Sequence, residues 1–225
     1  AALEAAVTRV GHEPKDVSSM LWSFLTLAAT RGVPLPACYP SLWLAASGLD
    51  VDSFKRVELC ALFQAHLMHT ELVNGDVRGE VSIPPWVTRE ARDAWMRDAQ
   101  EDMTVSRLHR EVADILDELG VRHEVEHLTD DGYFSVDVYL PDGDVALEID
   151  GPSHFINITD GGGNASRSST RAVRTELRDM FLARRHQAVV CVPWFEWAEL
   201  RGRAEKRHYV AEKLRGAGVH VPSLA

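Results

Sequence analysis

The chain has 225 residues, 45% hydrophobic and 26% charged, which suits a soluble globular protein with one large domain or two small ones. A net charge of −10 at pH 7 argues against a uniformly basic nucleic-acid binder, so any phosphate-binding surface must be a local patch on an acidic body. No apolar run is long enough for a membrane-spanning helix.

The chain opens AALEAAV, without a basic leader segment or an initiator Met, and reads as a fragment whose targeting peptide is out of view. Cys38, Cys60 and Cys191 stand far apart among apolar neighbours. They read as reduced buried thiols, with no spacing suited to structural zinc.

In chain order, Val17 to Ala29 carries apolar residues at helical spacing, and Gly32 with Pro34 stops it. Tyr39 to Ala46 predicts a shorter helix ending near Gly48. Asp52 is the expected N-cap of a helix from Ser53 to Leu72, with Leu59, Leu62, Phe63, His66 and Leu67 on one face. These segments suggest stacked helical hairpins. Residues 74–85 read as a loop, and a helix follows from Trp86 to Asp98. Ser106 to Leu119 predicts another amphipathic helix, ended by Gly120.

The pattern then changes. Residues 122–127, 133–139 and 144–149 are short strand-like runs separated by the turn signals TDDG and LPDG. Ile156–Ser169 is rich in Gly, Ser and Asn and reads as a loop. Thr170–His186 returns to helical spacing, Gln187–Pro193 reads as a buried strand, and helix follows from Trp194. The expectation is a helical, repeat-like region over 1–100 and an α/β domain with a mixed sheet over 101–225.

Two features carry chemistry. In VALEIDGPSHF, residues 145–155, Glu148 and Asp150 fall on one face of a strand, and Gly151-Pro152 turns the chain toward His154. With Asp137 these carboxylates either bind a divalent metal or pair with the arginines of the following helix. Residues 166–186 hold six arginines against Glu176 and Asp179. Arg171, Arg174, Arg178 and Arg185 recur at helical spacing, as a phosphate-binding stripe or a solvated face. Trp194, Phe195 and Trp197 would stack bases if exposed, or pack in the core.

GYFSVDVYLPDGDVALEIDGPSHF, followed by TELRDMFLARRHQAVVCVPWFEWAEL, resembles the RAP domain found at the C-terminus of organellar RNA-processing proteins. LWSFLTLA and VELCALFQAHLMHTEL resemble the helical region that precedes it in octotricopeptide-type proteins. The resemblance implies a PD-(D/E)xK endonuclease-like fold and an organellar RNA-binding protein, in mitochondrion or chloroplast. Such a protein acts in RNA processing, stability, splicing, translation or rRNA maturation within a ribonucleoprotein. Its implied partners are organellar mRNA, intron or rRNA, and other proteins.

Two alternatives go with it. One is a metal-dependent RNA endonuclease, with Asp137, Glu148 and Asp150 holding Mg²⁺ or Mn²⁺, His154 as acid or base and Glu111 as a possible helical acid. The other is a structural component of an organellar ribosome or similar assembly. In the binding reading, Arg171, Arg174, Arg178, Arg185 and His154 contact RNA. The chain departs from the nuclease pattern in placing Asp150 where Lys is usual.

Overall fold

The computed structural model describes residues 13–73, 81–101, 106–156, 158–159, 165–166 and 170–222. The chain divides into two compact units, Ala1–Glu101 and Asp102–Ala225.

In the first unit, helix α1 (Pro14–Arg31) starts on Pro14, whose missing N–H costs nothing in a first turn. It ends at Gly32, which takes φ 65° and donates its N–H to Ala28 O. Helix α2 is Tyr39–Ser47, and α3 is Arg56–Leu67, continued by a π-helical turn over Met68–Leu72. The expected cap at Asp52 is replaced. Asp50 accepts from Asp52 N in a short 3₁₀ turn, Val51–Ser53, and α3 starts only after Lys55. There Glu58 reaches back to accept from Lys55 N at 2.7 Å, so the acidic residue inside the first turn sets the start.

A π-helical turn, Val87–Ala91, leads into α4 (Arg92–Glu101). Leu21 and Leu25 of α1, Leu42 and Trp43 of α2, and Leu62, Phe63 and Met68 are fully buried. Trp22 Nε1 donates to Gln64 Oε1 at 2.5 Å, and the Tyr39 hydroxyl shares a 2.8 Å hydrogen bond with His69 Nδ1. Of the loop read over 74–85, residues 74–80 lie outside the described residues.

In the second unit, α5 (Arg107–Glu118) is N-capped by Ser106 Oγ, which accepts from His109 N. Strands β1 (Glu124–Leu128), β2 (Ser135–Leu140) and β3 (Val145–Asp150) form an antiparallel meander. The stretch read as a loop over Ile156–Ser169 holds a short antiparallel pair, β4 (Ile158–Thr159) with β5 (Ala165–Ser166). The rest of that stretch, beyond Ile156, lies outside the described residues. Helix α6 (Val173–Leu182) returns the chain to β6 (Ala188–Pro193), which pairs parallel to β3. The sheet order is β1-β2-β3-β6, so the sheet is mixed as expected.

Helices α7 (Trp194–Glu199) and α8 (Gly202–Gly216) follow, split at Leu200–Arg201. Val112, Ile115 and Leu116 of α5, Val138 and Leu140 of β2, Leu147 and Ile149 of β3, and Val210 and Leu214 of α8 share one core.

Candidate functional site

Every residue of β3 is buried, including Glu148 at 2% exposure and Asp150 at 1%. Two carboxylates on a central strand need partners, because a buried unpaired charge costs several kcal/mol, on the order of 3–5 when a partner is removed. The fold supplies them where the β2–β3 ladder ends. The last registered pair is Val138 with Leu147. One step further, side chains replace the ladder: Ile149 N donates to Asp137 Oδ2 at 2.7 Å, and Asp137 N to Glu148 Oε1 at 3.4 Å.

Two arginines complete the cluster. Arg178, from α6, lies 2.8 Å from Glu148 Oε2, donates to Ser135 O at 2.6 Å and lies 3.7 Å from Asp137 Oδ1. Arg171, just before α6, lies 2.7 Å from Asp150 Oδ2 and pairs with Asp179 two turns along. It also donates to Cys191 Sγ at 3.2 Å. His154 Nδ1 stands 2.9 Å from Asp150 Oδ1. The chain after β3 is tied to the segment before α6 by Ala172 N donating to His154 O at 2.8 Å and Ile156 N to Thr170 O at 2.9 Å. The Gly151-Pro152 turn therefore aims His154 at the carboxylate four residues before it.

Burial sets the protonation of this cluster. It pushes Glu148 up to about 8, with Arg178 pulling down and the Asp137 charge adding to the rise. Burial also raises Asp179, opposed by Arg171. Burial and the nearby Asp179 push the Cys191 thiol up to about 12, so it stays protonated and unreactive at neutral pH.

The structure thus brings Asp137, Glu148, Asp150 and His154 together, with Arg171 and Arg178 among them. Glu111 is engaged elsewhere: it accepts from Trp197 Nε1 at 3.0 Å and Lys206 Nζ at 2.8 Å. The hydrogen bonds from Lys206 and Trp197 hold its carboxyl below the usual range. From α5 it is His109 that reaches the cluster, with Nε2 3.7 Å from Asp137 Oδ2 and Nδ1 3.7 Å from Glu126 Oε1. His109 flanks the apolar stripe one turn before Val112, a position that periodicity assigns to a boundary rather than to a site. Glu126 gave no signal, because its approach depends on a left-handed conformation, φ 55°, within β1.

Arg174 is exposed, whereas Arg185 pairs with Asp131 at 2.7 Å and lies 4.9 Å from the centre of the Phe134 ring. Trp197 is buried in the core. Trp194 and Phe195 stay partly exposed, and Phe195 meets Phe155 edge-on at 5.1 Å. His154, Phe155, Trp194 and Phe195 therefore gather just beyond the carboxyl ends of β3 and β6, where open α/β sheets commonly bind ligands.

The family model of the RAP domain matches residues 147–213, from within β3 to within α8. The matched span holds Glu148, Asp150, His154 and the four arginines, while His109, Glu111, Glu126 and Asp137 precede it. The match supports RNA binding in general. No described helix is long and apolar enough to cross a membrane.

Proposed function

We propose that this chain binds RNA without cutting it, as part of a ribonucleoprotein in a mitochondrion or chloroplast that processes, stabilises, splices or translates organellar RNA or matures rRNA. One observation supports binding over cleavage: Arg178 and Arg171 pair with the carboxylates that a metal nuclease would turn toward its cation. A divalent ion needs carboxylate oxygens turned toward it. Here Glu148 and Asp150 each hold an arginine, and Arg178 also lies 3.7 Å from Asp137 Oδ1. Asp137, Glu148 and Asp150 together therefore do not fit one Mg²⁺ or Mn²⁺ between them unless both guanidinium groups leave.

The same pairs bear on how RNA is held. Arg171 and Arg178 anchor the sheet end, and Arg174, exposed on α6, is the proposed phosphate contact. Partly exposed Phe195 and Trp194 offer ring surface for base stacking, beside His154. The proposed interface takes a single strand across the carboxyl ends of β3 and β6.

End-labelled single-stranded RNA with the purified chain, with and without Mg²⁺ or Mn²⁺, tests this, scoring bound and cut species together. The expected result is intact RNA bound with a salt slope of about −2, as for two or three phosphates. Arg174→Glu and Phe195→Ala each weaken binding by roughly tenfold. Metal-dependent cutting that is lost in Asp150→Asn sinks the proposal. RNA neither cut nor bound supports a structural role in an organellar ribosome or similar assembly, a reading that the net charge of −10 favours.

A further inference from the structure

We propose a divalent transition-metal site formed by His109, Glu126 and Asp137, with His109 nearest Asp137 Oδ2 and Arg178 nearest Oδ1. One ligand atom from each residue lies within 4.8 Å of the others. The donors come from three elements, α5, β1 and β2, so only the folded unit assembles them.

The His109 ring points to a ligand independently of the carboxylates. Its side chain is 11% exposed, and Nδ1 is shielded from solvent with no hydrogen-bond partner among the described residues. Each ring nitrogen faces a carboxylate oxygen at 3.7 Å, beyond hydrogen-bonding reach. A shielded imidazole Nδ1 that faces the Glu126 carboxylate without bonding it is a group short of a partner.

The carboxylates are held as metal ligands usually are, by hydrogen bonds to their other atoms or from neighbouring groups. Ser135 Oγ donates to Glu126 Oε2 at 3.2 Å, leaving Oε1 toward His109. Ile149 N donates to Asp137 Oδ2, the oxygen that faces His109, which orients it and leaves its second lone pair for a cation. The strand register continues across Glu126, from Val125–Val138 to His127–Val136, while Glu126 itself holds a left-handed φ of 55° that side chains rarely adopt. One nitrogen and two oxygens at about 2.0–2.2 Å suit Zn²⁺ or a similar cation, after the three ligands close by about 1 Å, and they leave one position for water. Mg²⁺ disfavours such a set, since it binds oxygen and keeps its waters. The site does not depend on the RNA reading.

Titration of chelator-treated full chain with ZnCl₂, followed by calorimetry and thermal melting, is the test. One equivalent bound and a Tm rise of about 5 °C or more at saturating metal are expected. Both are lost in His109→Ala and in Glu126→Gln and kept in His154→Ala and Cys191→Ser. Glu126→Gln preserves shape, and its melting in EDTA verifies that it folds. Co²⁺ at the same site gives ligand-field absorption without a thiolate charge-transfer band. Failure to bind Zn²⁺, or equal binding by His109→Ala and Glu126→Gln, overturns the proposal.

Discussion

At the scale of single residues, the decisive groups are Glu148 and its guanidinium partner. Glu148 has a folded-state value raised by burial to about 8, from 4.5. The folded state thus holds a proton that the unfolded chain releases near 4.5. This contribution to stability is complete below about 4.5 and declines as pH rises toward 8. Urea unfolding from pH 5 to 8 is expected to show that decline, and Glu148→Gln to flatten it. Arg178→Met removes the partner at 2.8 Å and is expected to cost on the order of 3 kcal/mol at pH 8. The cost shrinks at pH 5, where Glu148 takes a proton instead; an equal loss at both pH values would contradict this account. Asp150→Ala removes one of the two carboxylates that hold Arg171, leaving Asp179, and is expected to cost about 1.5–3 kcal/mol whatever the domain does. Loss of function in that variant is therefore uninformative without a melting curve.

At the scale of elements, local chemistry explains most boundaries. Gly32 ends α1 at φ 65°, and a Cβ added there would have no neighbour within 4 Å, so Gly32→Ala meets only backbone strain. Its expected cost is about 1 kcal/mol, read as a lower urea midpoint with an unchanged slope. The start of α3 was less legible: Asp52 resembled a cap, but Glu58 fixed the start at Lys55. Strand alternation placed Glu148 and Asp150 together correctly. It could not show that β2 and β3 part beyond Val138–Leu147, because that depends on carboxylates replacing ladder bonds.

At the scale of the whole molecule, each of the two units has its own core. The second holds a four-stranded sheet with α5 and α8 sharing its apolar centre. A fragment spanning residues 102–225 is expected to unfold in one cooperative transition. Gradual melting without native near-ultraviolet signal would show that it needs the first unit.

The order of elements, the mixed sheet and the RAP resemblance were legible from periodicity, turn residues and a few dense motifs, all of which are local in the chain. The partners of the charges were legible only as alternatives. The strand carboxylates read as metal ligands or as partners of the following arginines, and the packing selects the second: Arg171 and Arg178 turn toward Asp150 and Glu148, since a buried carboxylate draws in the nearest guanidinium. Glu111 looked like the helical acid, but the packing of α5 gives it to Trp197 and Lys206 and turns His109 toward Asp137. Spacing along a chain fixes which face a side chain occupies. Which charge it meets there depends on residues tens of positions away, and only the packed structure brings them within reach.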